Sequence, residues 1–306
     1  MDKISVILTS YKHENYISQA IESIINQNYK DWELLIWDDS PDLKTFSVIE
    51  KYLWDERIKA WHYDKNKWLV ENLNFLISKI SPDWKYIVFL EWDDWLDSNY
   101  IKKKMEIFKE DKDVGLIYND LITVDENWNI IKKNFLKSLT LKKFTKWKML
   151  RKKDFLCYWP YYMSWSSLMI KKDCLNKLYP IKSYWNKMFS VSDRDAFWKI
   201  ACENKIYWME DCLTYFRQSN NSLWHRSDFL KDQRTVINSR KEEWFINNRE
   251  YQAWMDKLTM NEKFNTLWKN KLKNLKTLIY IYIKHPIMFT RNIIYKIIFL
   301  FSLRRD

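Results

Sequence analysis

Two hydrophobic periods alternate along the first 120 residues, and this alternation restricts the fold more than any other feature of the chain. Ser5–Thr9 is a continuous apolar run of the type that forms a strand buried on both faces. Ile17, Ala20, Ile21, Ile24 and Ile25 follow at i, i+3, i+4, i+7 and i+8, the stripe of an amphipathic helix. The pattern recurs as a strand at Glu33–Ile36, a helix around Lys44–Leu53 and a short strand at Arg57–His62. It continues with a helix at Val70–Ile80 and a strand at Tyr86–Leu90. Strands joined through single helices lie mostly parallel and are covered on both faces. The expected class is therefore α/β, a mixed and mostly parallel sheet between helices, with ligands beyond the carboxyl ends of the strands.

Two acidic pairs fall at those ends. Asp38-Asp39 follows the second strand and Asp93-Asp94 follows the strand at Tyr86–Leu90. One carboxylate there can accept from a base N–H or a ribose hydroxyl. Another can hold a hard divalent cation, which takes oxygen ligands and shares itself with substrate phosphates. Such a cation offsets charge on a departing diphosphate. An isolated Asp-Asp is equally an ordinary cap or turn, and it is the repetition after two buried strands that favours a nucleotide diphosphate. The chain has no G-x-x-x-x-G-K-[ST] loop. The first turn, Thr9-Ser10-Tyr11-Lys12-His13-Glu14, is not a dinucleotide fingerprint.

Further strands are expected at Gly115–Tyr118, near Ser166–Ile170 and near Cys212–Arg217, with a hairpin around Asp125–Asn129 and a helix from Asp193. From Ser227 to about Lys276 the pattern is polar and helical. The net charge is +12, but residues 132–153 hold ten Lys or Arg and no acid, and residues 271–306 hold eight and one acid. The remainder carries 34 basic and 39 acidic residues, a net of −5, so the excess is confined to two patches. That distribution, with acidic pairs where a groove would lie, argues against a nucleic-acid partner. Thr277–Leu303 is apolar but broken by Lys284, His285, Pro286, Arg291 and Lys296, short of a spanning helix. It fits an anionic membrane interface or a helical hairpin on the catalytic domain. Cys157, Cys174, Cys202 and Cys212 show no metal spacing and read as free thiols of a reducing compartment.

The stretches "ISVILTSYKHENYISQAIESIINQNYKDWELLIWDDSPD", "KNKWLVENLNF" and "YIVFLEWDDWLDSNYI" resemble the family-2 inverting glycosyltransferases of GT-A (Rossmann-like) fold. The likeness continues through "MSWSSLMIKKDCL", "SDRDAFWKIA" and "LTYFRQSNNSL", covering roughly residues 3–225. It implies a catalytic domain over 1–226 and a helical, basic extension over 227–306. By position, Thr9, Ser10, Tyr11 and Lys65 would line the nucleotide pocket. Asp39, with Asp38 close by, would contact a uracil-type base. Asp93 would face the ribose, and Asp94 would ligate Mg²⁺ or Mn²⁺ on the diphosphate, with His225 a candidate third ligand. Asp193 would be the general base that takes the acceptor proton. An ordinary Asp has a pKa of about 3.9, so positioning should matter more than basicity. The implied activity transfers a sugar from a nucleotide-diphosphate sugar, a UDP-sugar above all, to a hydroxyl of a glycan or lipid-linked acceptor. The setting would be the cytoplasm or the inner face of the cell membrane, in cell-envelope polysaccharide synthesis. A catalytically inactive sugar-nucleotide binder of the same fold is the alternative.

The chain contains 1 Gly and 19 Trp, where roughly 21 Gly are expected at about 7% usage. Where the family commonly has glycine, this chain has Trp68, Trp84, Trp128 and Trp165, and Trp37, Trp92, Trp159 and Trp224 also occupy turn-like contexts. Trp32 and Trp95 fit as genuine aromatics. Glycine supplies positive φ at little cost; tryptophan does not. The reading is that many of these Trp stand for UGA codons in a lineage that decodes UGA as glycine. It predicts positive φ or unusual exposure at Trp68, Trp128 and Trp165.

Overall fold

A computed structural model describes residues 2–138, 164–176, 179–181, 200 and 204–218, with scattered residues between 234 and 259. The chain divides into two compact units, Met1–His225 and Arg226–Asp306. The first is built on a nine-stranded mixed sheet. Its first half alternates strand and helix: β1 (Ile4–Ser10), α1 (Ile17–Ile25), β2 (Trp32–Asp38), α2 (Lys44–Glu50), β3 (Ile58–His62), α3 (Leu69–Lys79) and β4 (Tyr86–Glu91). Then come the two-residue β5 (Trp95–Leu96), α4 (Tyr100–Glu110), the long β6 (Val114–Val124), β7 (Ile130–Lys132) and the short α5 (Phe135–Ser138). A 3-10 turn (Trp165–Ser167) leads into β8 (Leu168–Lys171), followed by α6 (Lys172–Asn176) and β9 (Lys205–Arg217).

The strand order is β3-β2-β1-β4-β8-β6-β9-β5, with β7 paired to β6. β1 is flanked by β2 and β4, both parallel to it, and the registers are level: Leu8 faces Ile36 on one side and Leu90 on the other. Period-2 alternation sorts each strand between two cores. Val6 and Leu8, Leu34 and Ile36, and Val88 and Leu90 pack with α1 and α4 through Ile17, Ile21, Ile24, Tyr100, Met105 and Phe108. Ile7, Leu35, Trp37, Ile87 and Phe89 pack on the opposite face with Val70, Leu73 and Leu76 of α3. Two covered faces explain why these strands read as unbroken apolar runs.

The single glycine lies where two segments touch. A Cβ at Gly115 would come within 2.6 Å of Asn204 Cβ and 2.8 Å of Cys174 Sγ. Trp68 and Trp128 hold φ of 69° and 72°. With ψ of 151°, Trp68 sits in backbone space that is essentially glycine's alone. Trp128 closes the β6–β7 hairpin, its N–H donating to Asp125 O at 3.2 Å, at a position glycine normally fills. Two other expectations fail. Trp165 is buried in the 3-10 turn against Phe89, without positive φ. Trp37 is not in a turn at all, but a strand residue in the core. Trp32 is buried under the Arg57 guanidinium, 3.7 Å from the ring centroid, and Trp95 stacks on Tyr215 at 4.7 Å. Among the cysteines in described segments, Cys174 is buried with its thiol 3.3 Å from Asn204 Oδ1, and Cys212 is half-buried. No helix among the described residues is long and apolar enough to cross a membrane. The 271–306 segment and most of 132–153 lie outside the described residues.

Strain at a sparsely populated backbone position costs about 1–3 kcal/mol. Trp68→Gly and Trp128→Gly are therefore expected to raise the midpoint of thermal unfolding, the reverse of what truncating a tryptophan ordinarily does. Lower midpoints for both variants would contradict the strain.

Candidate active site

Level registers bring the ends of β1, β2 and β4 together, and with them Thr9, Ser10 and the two acidic pairs. Thr9 and Ser10 close β1 and are buried, and Tyr11 follows, half-buried. Lys12, with φ of 61°, turns the chain so that its N–H donates to Ser40 Oγ at 2.8 Å. The two members of the first acidic pair divide their tasks. Asp38 is still a strand residue, fully buried. Its Oδ1 accepts from the Ser40 hydroxyl at 2.6 Å, and its Oδ2 lies 3.0 Å from His62 Nδ1. Burial raises its pKa, while Ser40 and His62 oppose the rise. Asp38 therefore braces the β2–β3 junction, and it is Asp39 that faces the following loop. Asp39 Oδ2 accepts from the Lys67 N–H and from Asn72 Nδ2, both at 2.8 Å. This ties residues 63–68 to the start of α3. Lys65 stands exposed on that loop.

The second pair is more tightly enclosed. Asp94 is buried; its Oδ1 accepts from the Arg217 N–H at 3.1 Å, and its Oδ2 has no hydrogen-bond partner among the described residues. Burial pushes its pKa well up, and the neighbouring charges of Asp93 and Glu91 push in the same direction. Burial also raises Asp93, to about 7, with the Arg217 charge opposing. Ser10 Oγ and Asn72 Oδ1 are likewise buried without a partner. Buried polar atoms are nearly always satisfied. Three unsatisfied oxygens, on β1, on the helix that holds Asp39 and on the second acidic pair, fit a bound polar ligand, and the Asp94 oxygen fits a hard cation. No group of three His, Cys, Asp or Glu side chains forms a complete cation site among the described residues. Asp193 and His225 lie outside those residues.

Arg217, at the end of β9, is the residue that sequence reasoning missed. It is buried, and among the described residues its guanidinium donates to neutral oxygens: Asp93 O at 3.2 Å, Asp125 O at 3.0 Å, Glu126 O at 3.3 Å and Gln19 Oε1 at 3.3 Å. It also lies over the rings of Trp128 at 4.0 Å and Tyr16 at 4.4 Å. The arginine thus joins α1, the β6–β7 hairpin and the acidic pair, and places a fixed positive charge behind that pair. A charged residue ending an apolar strand, "LTYFR", was the available signal. Trp92 rests on His13 with ring centroids 2.9 Å apart and planes 6° apart, tighter than the ~3.5–4.0 Å optimum for carbon contacts. Burial there lowers the His13 pKa to about 3.

Comparison with known proteins agrees with this architecture. Residues 5–178 match glycosyl transferase family 2, and the chain belongs to that family; it is a glycosyltransferase. An uncharacterised glycosyltransferase of Methanocaldococcus jannaschii is 29% identical over 227 residues, 72% of this chain and 73% of that one. Protein CgeD of Bacillus subtilis is 31% identical over 131 residues, which span 41% of this chain and only 31% of CgeD. Among solved structures, Staphylococcus aureus TarS 1–349 in complex with UDP-GlcNAc aligns with a TM-score of 0.62 at 16% identity, covering 85% of this chain and 71% of that one. A mannosyltransferase of Pyrobaculum calidifontis in complex with GDP-Man and Mn²⁺ aligns with a TM-score of 0.58 at 11% identity, covering 98% and 86%. At such identities the likeness establishes the fold.

In the folded chain Asp94 keeps its proton to higher pH than in the unfolded chain. Its contribution to stability is therefore greatest below the unfolded value of about 3.9 and falls as pH rises towards the raised folded value. Asp94→Asn, melted in the presence of a chelator, is expected to gain stability over the parent at pH 8 and much less at pH 5. An equal gain at both would show that the carboxylate's charge is not the cause.

Proposed function

We propose that the chain is an inverting glycosyltransferase that moves a sugar from a nucleotide-diphosphate sugar to a hydroxyl of a glycan or lipid-linked acceptor. The observation that carries the reading is Asp94 Oδ2, a buried and unsatisfied carboxylate oxygen level with the Asp39 loop across β1. The donor complexes of the two structural neighbours, UDP-GlcNAc in one and GDP-Man with Mn²⁺ in the other, support it. In this reading Thr9, Ser10, Tyr11, Asp39 and Lys65 hold the nucleotide, and Asp93 faces the ribose. Asp94 holds Mg²⁺ or Mn²⁺, which when bound neutralises charge on the departing diphosphate. Asp193 takes the acceptor proton as the acceptor oxygen bonds to the anomeric carbon and the bond from that carbon to the diphosphate breaks. Inversion follows from that single displacement. The work of Asp193 is to orient the hydroxyl, since an ordinary carboxylate is a weak base. Hydrolysis of UDP-sugars or GDP-sugars with Mn²⁺ is expected in the wild type and should fall at least 100-fold in Asp94→Ala, about the scale of one preorganised electrostatic contact. Turnover that survives both the substitution and chelation would refute the site.

The inactive-binder reading has one observation in its favour: Trp92 packed on His13 beside the acidic pair fills space a donor would use. We infer instead that the native protein carries glycine at positions 68, 92 and 128. Glycine-only backbone angles at Trp68, positive φ at Trp128 and the overfilled contact at Trp92 support that inference. Decoding of UGA as glycine would produce all three at once. Each such exchange removes about 129 Da, the side-chain difference between the residues. The intact mass of the protein from its own organism is expected to be lower than the 19-Trp value by multiples of that figure; a mass equal to it would overturn the inference.

A further inference from the structure

Beneath the second acidic pair lies a polar assembly that the proposed chemistry does not use. Lys104, in the middle of α4, is completely buried. Among the described residues its ammonium faces no carboxylate: Nζ donates to Ser167 O at 2.6 Å and lies 3.7 Å from the centroid of the Tyr100 ring. Tyr100, equally buried, donates its hydroxyl to Leu168 O at 2.8 Å. One face of α4 therefore holds two successive carbonyls at the end of the 3-10 turn. Burial drives the Lys104 pKa well below its ordinary value, so the site is a costly place for an amine. A leucine or methionine would satisfy the helix stripe without that cost.

The same turn also meets the end of β4, which leads into the acidic pair. Ser166 Oγ accepts from the Glu91 N–H at 3.0 Å, and Ser164 Oγ lies 3.3 Å from Glu91 Oε2. The Ser166 hydroxyl also lies close enough to Asp94 to favour its ionised form. The turn is locked internally by Ser167 Oγ donating to Ser164 O at 2.7 Å, and laterally by Thr214 Oγ1 donating to Ser166 O at 3.1 Å. Lys104 thus holds the carbonyl of the residue that follows Ser166.

We propose that Lys104 is a positioning residue for the metal-binding carboxylate: by holding the Ser167 carbonyl it fixes Ser166 against Glu91 and Asp94, and so sets how Asp94 presents its open oxygen. The inference rests on the glycosyltransferase reading above. Lys104→Met keeps the volume and removes the donor. It is expected to raise both the Kd for Mn²⁺, read from the EPR signal of the free ion in the presence of UDP, and the Mn²⁺ concentration for half-activation of donor hydrolysis about 10-fold, the lower end of what a partner behind a metal ligand commonly costs. Ser166→Ala should do the same. If Lys104 acts through Ser166, the double variant is about as impaired as Ser166→Ala alone, not 100-fold. Lys104→Gln, which retains an N–H donor on a shorter side chain, should recover most of the loss, and it replaces Lys104→Met in the cycle if that variant does not fold. A variant with a shifted melting temperature and an unchanged Mn²⁺ requirement would overturn the proposal, as would multiplicative effects in the double variant. Wild-type protein inert towards every nucleotide sugar with Mn²⁺ would instead overturn the glycosyltransferase reading, and this inference with it.

Discussion

The level registration of β2 and β4 on either side of β1 is the constraint on which the site depends. A parallel strand pair fixes the relative height of its ends through evenly spaced backbone hydrogen bonds. Because Ser10 pairs with Asp38 and Thr9 with Glu91, the residues that leave the sheet after β2 and β4 do so at one height. A shift of one residue in either pairing would exchange the two core faces. Slipping the β1–β2 pairing would put Asp39 where Asp38 now sits and separate it from the loop it anchors. The two cores, with Leu8, Ile36 and Leu90 on one side and Ile7, Leu35 and Phe89 on the other, forbid that slip.

Holding acids at that edge carries an electrostatic cost that the surrounding structure offsets only in part. Asp38 is compensated by Ser40 and His62. Asp94 is not: two carboxylate neighbours and burial oppose its charge, against one backbone N–H and a nearby hydroxyl. Arg217 adds a fixed cation, but among the described residues its guanidinium is spent on carbonyl and amide oxygens, and it is its backbone N–H that reaches a carboxylate of the pair. In the proposed reading, a divalent cation with a diphosphate would supply the counter-charge that the described residues do not. In that reading the incompleteness belongs to the function rather than to the fold.

What the sequence disclosed, and what it hid, follows from how each element is buried. β1 to β4 and the helices between them were legible because continuous apolar runs and a 3.6-residue stripe are produced only by two-sided and one-sided burial respectively. α4 escaped notice because Lys104 occupies one of its core-facing positions, beside Tyr100, Ile101, Met105 and Phe108. A lysine in the stripe reads as solvent. β6 was foreseen only as Gly115–Tyr118 because Asn119, Asp120 and Thr123 interrupt its apolar run; all three are buried, and Asp120 caps α5 through the Leu136 and Lys137 N–H groups. Asp38 and Asp39 were read as one unit, but the strand pleat points adjacent residues to opposite sides. Arg217 meets Asp93, Ser166 meets Glu91 and Lys104 meets Ser167 across 60 residues or more, a separation over which periodicity carries no information.

The glycine shortage takes on a different meaning once the backbone is known. A chain that had adapted to lack glycine would be expected to place Asn or Asp at its left-handed positions, since these tolerate positive φ best after glycine. It does so at Asn134, with φ of 53°. At positions 68 and 128 it instead has the bulkiest side chain available. At 115, where a Cβ would strike Asn204, it has its one glycine. Selection for stability would not leave two tryptophans in glycine conformations while preserving a glycine where close approach demands it. Both facts follow if, as proposed above, the backbone at 68 and 128 was shaped by glycine.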